Sequence, residues 1–186
     1  LYPRYGVSFG TALGGIANAE AEHSAFMAQG TKGVSRALAV QIFGGAAHGN
    51  MSITFGLQGP TTTNSNSCAS GNVALGEALR FIREGLADVV IAGGSEAPLS
   101  PLTFTAFDLI HTMSRFHGDP STACRPFDCS RDGFVMGEGA CSFVVESLEH
   151  AMNRGARIYA EIAGYSLVSE AHHMTIQRPD GEPLRR

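Results

Sequence analysis

Residues 61–96 read TTTNSNSCASGNVALGEALRFIREGLADVVIAGGSE, and the order of patterns within them decides the fold. Thr61–Ser67 follows the turn Gly59–Pro60 and is polar, extended and rich in β-branched residues. Beyond Cys68, Leu75, Leu79, Ile82 and Leu86 recur at spacings of four, three and four, which predicts one apolar helix face. Gly85 suits the left-handed position just past the end of that helix. Asp88–Gly94 is continuously apolar, as in a strand buried on both faces of a parallel sheet. Strand, helix, strand in that order is a βαβ unit, and it places the chain in the α/β class.

The flanks extend this pattern. Tyr5–Gly10 reads as a short buried strand running into a glycine-rich turn at Gly10, Gly14 and Gly15. A helical pattern follows through Ala19–Met27 and stops near Gly30. A second helix is expected over 37–55, with Gly44, Gly45 and Gly49 inside it permitting close backbone approach. Residues 95–137 are loop-rich apart from a possible helix at Thr103–Ile110. Ala140–Val145 reads as another buried strand, and Ser147 as the cap of a helix that runs to Asn153 and closes at Gly155. Arg157–Ala163 alternates as a strand, and a loop follows Ser166.

Composition narrows the functional classes. The 186 residues are 44% hydrophobic and 16% charged, which is too apolar for a disordered chain. No apolar run approaches the roughly 18 to 20 residues that span a bilayer, and nothing resembles a signal peptide. A net charge of −4 with no basic stripe argues against non-specific nucleic-acid binding. Four cysteines without a CxxC pair point to a reducing, cytoplasmic setting. Gly10, Gly14 and Gly15 do not match GxGxxG, so a dinucleotide site is not supported. His172 and His173 are adjacent and make a poor metal pair; no metal or cofactor is expected. The chain starts at Leu1 and ends in Arg185–Arg186 after a Pro-Asp-Gly-Glu-Pro loop. Both ends read as cuts in a longer enzyme.

Cys68 stands between an extended segment and the strongest helix, among small residues. The free backbone N–H groups and the dipole of a helix N-terminus favour negative charge there, which is the condition a thiol nucleophile needs. Ala69, Ser70 and Gly71 leave room for a substrate carbonyl, and the Cys68 N–H could serve as an oxyanion donor. A small buried cysteine is the competing reading on spacing alone. Cys124, Cys129 and Cys141 lack this setting and read as inert. His48 reads as a packed, hydrogen-bonded residue; His23, His111, His117 and His150 read as surface or loop residues. Arg125, Asp128, Arg131 and Asp132 read as a structural ion-pair network, and Glu138 as a loop anchor.

Three ordered blocks carry a family resemblance. Ser67-Cys68-Ala69-Ser70-Gly71, with Ala87–Glu96 after the helix, resembles the nucleophile region of β-ketoacyl synthases. Cys124–Asp128 with Arg131–Ala140 resembles the next block of that family, and Ala171–Thr175 a third. The resemblance covers essentially the whole chain, is closest to the elongating synthases, and implies a thiolase-like layered αβαβα fold. Residues 1–150 would then be the N-terminal ketosynthase half, incomplete at its start, and 151–186 the beginning of the C-terminal half.

The resemblance implies that Cys68 takes an acyl group from an acyl carrier protein and condenses it with malonyl-carrier protein. It further implies that Leu13 lines the acyl pocket, that His173 lies near the site entrance, and that Thr175 lies near the pantetheine arm. Two histidines and a gating phenylalanine belong to the family's C-terminal motifs, which do not occur before Arg186. The polypeptide alone is therefore expected not to complete the condensation. His111 stands where bacterial relatives often carry a carrier-docking arginine. Family members pair through the strand before the nucleophile, here about Thr61–Ser67, so a homodimer is expected at full length. A polyketide ketosynthase domain, a chain-length-factor-like partner and an unrelated thiol hydrolase are the competing readings.

Overall fold

The computed structural model describes residues 1–185. Four strands form one mixed sheet in the order β2-β1-β3-β4, where β1 is Tyr5–Gly10, β2 Thr61–Asn64, β3 Val89–Glu96 and β4 Gly139–Glu146. β1 runs parallel to both β2 and β3, and β4 closes the sheet antiparallel to β3. The helices are α1 (Ile16–Gln29), α2 (Leu38–Gln41), α3 (Ala46–Phe55), α4 (Ser70–Arg83), α5 (Pro101–Leu109) and α6 (Leu148–Asn153). This is the α/β architecture that the βαβ pattern requires.

Burial follows from strand position. β1 lies between two neighbours, and Val7, Ser8 and Phe9 are all buried although they alternate between faces. α4 packs on β3 and β1. The centre of that contact is Ala78 and Phe81 with Ala87, Val90 and Ala92, and Leu75 and Ile82 lie at its margin; Ala74, one turn earlier, is fully buried too. The leucine face expected from spacing is therefore the flank of the helix. Alanines occupy the contact because only short side chains let helix and sheet backbones approach closely. Burying Phe81 contributes about 1.5–3 kcal/mol.

Four expectations are corrected. The helix over 37–55 is two helices, because the chain bends at Gly44–Gly45 between α2 and α3. β4 is a strand as expected, but it is mostly exposed, with Phe143 52% and Val144 59% accessible, because it is the outermost strand and only its end, at Val145, packs against the core. Residues 157–163 do not form a strand: among the described residues no other strand pairs with them. The segment instead lies along α4, where Arg83 Nη2 donates to the Ala163 carbonyl at 2.9 Å. The Tyr165 ring covers Gly76, so closely that a Cβ at Gly76 would sit 2.1 Å from it. Burial there pushes the Tyr165 hydroxyl pKa up. The fourth correction is His150, which is half-buried rather than a surface residue.

His150 belongs to a network at the end of the sheet where β1 and β3 begin. Its Nε2 lies 3.2 Å from Tyr5 Oη and its Nδ1 2.5 Å from Glu146 Oε2. Arg154 donates to the same carboxylate through Nε at 2.9 Å and through Nη2. The Arg154 guanidinium, and then His150, hold the Glu146 carboxyl below the usual range. The folded state is thus the stronger acid and the unfolded chain binds the proton more readily. Stability from this group is complete above the ordinary carboxylate range and is lost as pH falls through the lowered folded-state value. Glu146→Gln is expected to cost about 1–2 kcal/mol at neutral pH and to flatten the acid limb of a denaturation-versus-pH curve. An unchanged acid limb would refute this role.

Ser8 is the opposite case. Its side chain is fully buried and its Oγ has no hydrogen-bond partner among the described residues. An unsatisfied buried hydroxyl costs about 1–3 kcal/mol, so Ser8→Ala is expected to leave the denaturant midpoint unchanged or to raise it. A lowered midpoint would mean that the hydroxyl has a partner.

Candidate active site

The site is built where the carboxyl ends of β1 and β3 meet the amino end of α4, the usual place for a ligand crevice in an open α/β sheet. Three glycines allow that meeting. A Cβ on Gly10 would lie 2.3 Å from the Ser70 carbonyl carbon, and one on Gly94 3.3 Å from Gly71 Cα. Gly10 and Gly94 are also register partners in adjacent strands. The first turn of α4 therefore rests directly on strand backbone.

Asn64, at the end of β2, leads into the turn that carries the cysteine. Ser67 takes a left-handed conformation, φ 51°, and residues Ser67–Ala69 form a single 3-10 turn before α4. Side chains from the Asn/Ser run hold this turn. Ser70 Oγ donates to the Ser67 carbonyl at 2.7 Å, and Asn64 Nδ2 donates to the Ser70 carbonyl at 3.1 Å. Ser70 is buried and Cys68 is exposed. Ser67 holds a strained left-handed conformation, and Cys68, the next residue, is exposed just ahead of the α4 N-terminus and its partial positive charge.

Cys68 opens into a cavity of about 490 Å³ that it shares with Thr11, Gly71, Glu96, Cys141 and Phe143. No histidine is among the described residues that line it. Leu13 is 40% exposed and lies in the turn after β1, directly beyond the lining residues Thr11 and Ala12. His173 and Thr175 lie on an exposed segment away from the cavity lining. There His173 Nδ1 accepts from the Thr175 and Ile176 N–H groups, each at 3.1 Å. The structure thus brings Cys68 and the Leu13 turn to one end of the sheet and leaves His173 and Thr175 outside.

The charged loop matches the expected ion-pair network only in part: Arg131 donates to the Asp128 backbone carbonyl at 2.8 Å rather than to its carboxylate, which accepts from Ser130. Arg125 pairs with Asp132 at 3.2 Å, and Asp132 also accepts from Ser114 Oγ and the Arg115 N–H. The Ser114 hydroxyl is the main reason its carboxyl is held low. Glu138 anchors its loop by accepting the Leu99 N–H at 3.1 Å. His48 is hydrogen-bonded to Thr63 Oγ1. Among the described residues, no group of three or more His, Cys, Asp or Glu side chains is placed to hold a metal ion.

Sequence reasoning quoted Gly10, Gly94, Asn64 and Glu96 but gave none of them a role in the site. The signals were present: paired glycines inside a strand mark close backbone approach, and Asn and Ser ahead of a helix mark backbone capping.

Comparison with known proteins adds to this geometry. Residues 2–151 match the family described as Beta-ketoacyl synthase, N-terminal domain. A mitochondrial protein of Schizosaccharomyces pombe, named as a 3-oxoacyl-[acyl-carrier-protein] synthase, is 43% identical over 178 residues, 95% of this chain and 42% of its own length. The 3-oxoacyl-[acyl-carrier-protein] synthase 2 of Staphylococcus aureus is 42% identical over 179 residues, 96% of this chain and 44% of its own. Among solved structures, the ketosynthase of a type II polyketide synthase, in complex with its acyl-carrier protein and bound to a hexaketide, superposes with a TM-score of 0.91. It is 36% identical, and the match covers 98% of this chain and 46% of that one. The chain spans less than half the length of the curated relatives it matches.

Proposed function

The chain belongs to the β-ketoacyl synthase family, and on that premise we propose that it is the nucleophile-bearing half of a 3-oxoacyl-[acyl-carrier-protein] synthase of fatty acid biosynthesis. The observation that carries the reading is Cys68, exposed at the amino end of α4 in a cavity at the carboxyl ends of β1 and β3.

In this reading the Cys68 thiolate attacks the thioester carbonyl of an acyl carrier protein. A tetrahedral oxyanion forms, with the Cys68 N–H as one donor to it, and collapses to expel the carrier thiolate. Malonyl-carrier protein then loses carbon dioxide. Its carbanion attacks the acyl–Cys68 carbonyl and expels the Cys68 thiolate, giving a 3-oxoacyl-carrier product two carbons longer. The histidines that assist decarboxylation belong to the family's C-terminal motifs, so the chain by itself does not condense. Residues 1–150 supply the acyl-enzyme half, and 151–186 open the second. Leu13 bounds the acyl pocket, while His173 and Thr175 come to the entrance once the second half is in place.

A carrier protein is the proposed partner, with exposed His111 at the end of α5 on its docking side. The proposed homodimer forms through β2, whose outer edge has no partner strand among the described residues. Four free cysteines favour a reducing compartment, and the cytoplasm is the proposed location. A polyketide ketosynthase is the second reading, favoured by the structural superposition; identity to the fatty acid enzymes is higher. Cys68 itself speaks against a chain-length-factor role, since such partners usually lack the nucleophile. The test is intact-mass mapping of the complete synthase after incubation with an acyl-carrier thioester, where the added acyl mass is expected on Cys68.

A further inference from the structure

We propose that Glu96 is a positioning residue that sets acyl-chain selectivity by fixing the turn Thr11–Leu13. The inference rests on the assignment of Cys68 as acyl-bearing nucleophile and of Leu13 as a boundary of the acyl pocket.

Glu96 is the last residue of β3 and lines the cavity with Cys68. Its carboxylate takes hydrogen bonds from three consecutive residues. Oε1 accepts from Thr11 Oγ1 at 3.1 Å and from the Leu13 N–H at 3.2 Å, and Oε2 accepts from the Ala12 N–H at 2.6 Å. Thr11 Oγ1 accepts in turn from the Gly14 N–H at 3.0 Å. The sheet makes this reach possible, because Gly94 pairs with Gly10, where β1 ends, and β3 runs on for two residues to Glu96 beside the turn.

The turn is held on its other side as well. A Cβ on Gly15 would lie 2.5 Å from the Gln41 carbonyl oxygen, so the chain there has no room to move toward α2. The backbone is thereby held at Leu13 by a carboxylate and at Gly15 by the chain of α2.

The donor set explains the residue type. All three groups facing Glu96 donate, and a carboxylate accepts at both oxygens without donating. A glutamine keeps Oε1 as acceptor but turns an amide donor toward another donor. An aspartate is one methylene too short to reach the turn. With its acceptors occupied by Thr11, Ala12 and Leu13, Glu96 acts through the turn rather than on the reacting atoms. Releasing the turn lets Leu13 yield to a longer chain while Cys68, held separately by Asn64 and Ser70, stays in place.

The experiment uses the complete synthase as wild type, Glu96→Gln and Thr11→Val, each given short-chain and long-chain acyl-carrier thioesters. Acylation of Cys68 is followed by intact mass, and reactivity of the thiol by iodoacetamide alkylation. Expected for Glu96→Gln is a roughly ten-fold rise in the long-to-short acylation ratio, the scale of a methylene or two in an apolar pocket, with alkylation within about two-fold of wild type. Thr11→Val, which removes one of the three donors, should shift the ratio the same way and by less. An unchanged ratio in both variants overturns the proposal, as does an equal fall for both donors together with slower alkylation. Absence of any acylation of wild-type Cys68 overturns the reading beneath it, and the proposal with it.

Discussion

The complete synthase carrying Cys68→Ala is expected to acquire no acyl mass and to lose condensation by at least about 10³-fold, as when other covalent nucleophiles are removed. The expectation follows from the uniqueness of the position. Cys141 lines the same cavity, but it lies in β4, opposite Gly94, away from the amino end of any helix. Only Cys68 combines exposure with the α4 dipole and a strained residue just before it. Cys124→Ala and Cys129→Ala, in the loop before β4, serve as controls and should acylate like wild type. Persistent acylation of Cys68→Ala, with the mass on Cys141, would sink the assignment.

Gly10→Ala is expected to slow acylation by about 10²-fold although it touches no reacting atom. The added methyl would stand 2.3, 2.4 and 2.7 Å from three atoms of Ser70, two of them backbone. Carbon contacts are comfortable near 3.5–4.0 Å, so the first turn of α4 must lift by about 1 Å. A displacement of that size costs about two orders of magnitude when it moves a catalytic group. The same crowding should cost roughly 1–3 kcal/mol of stability. Because Gly10 does not adopt a positive φ, the effect is steric rather than conformational. Wild-type acylation kinetics in a folded Gly10→Ala synthase would show that α4 is not seated on that glycine.

The βαβ unit was legible because its signals are local: a β-branched run, an amphipathic helix and a continuous apolar strand. Cys68 was legible for the same reason, since it stands at the junction of two of them. What escaped depends on partners far along the chain. The three hydrogen bonds of Glu96 span 83 to 85 residues, and no spacing rule joins Thr11 to a carboxylate so distant. His150 looked like a surface residue because its partner Tyr5 lies 145 residues away. The alternation of Arg157–Ala163 suits a strand, but a strand needs a neighbour, and none of the described residues supplies one. β4 repeats the lesson in milder form. Its residues suit a covered interior, yet its place in the strand order leaves it at the rim.

The ribbon from Arg157 to Tyr165 has one further consequence. Among the described residues its amides pair with no strand, and it meets α4 through the Tyr165 ring on Gly76 and the Arg83 guanidinium on the Ala163 carbonyl. Deuterium should enter it first and a protease should find it early, while the sheet core stays protected.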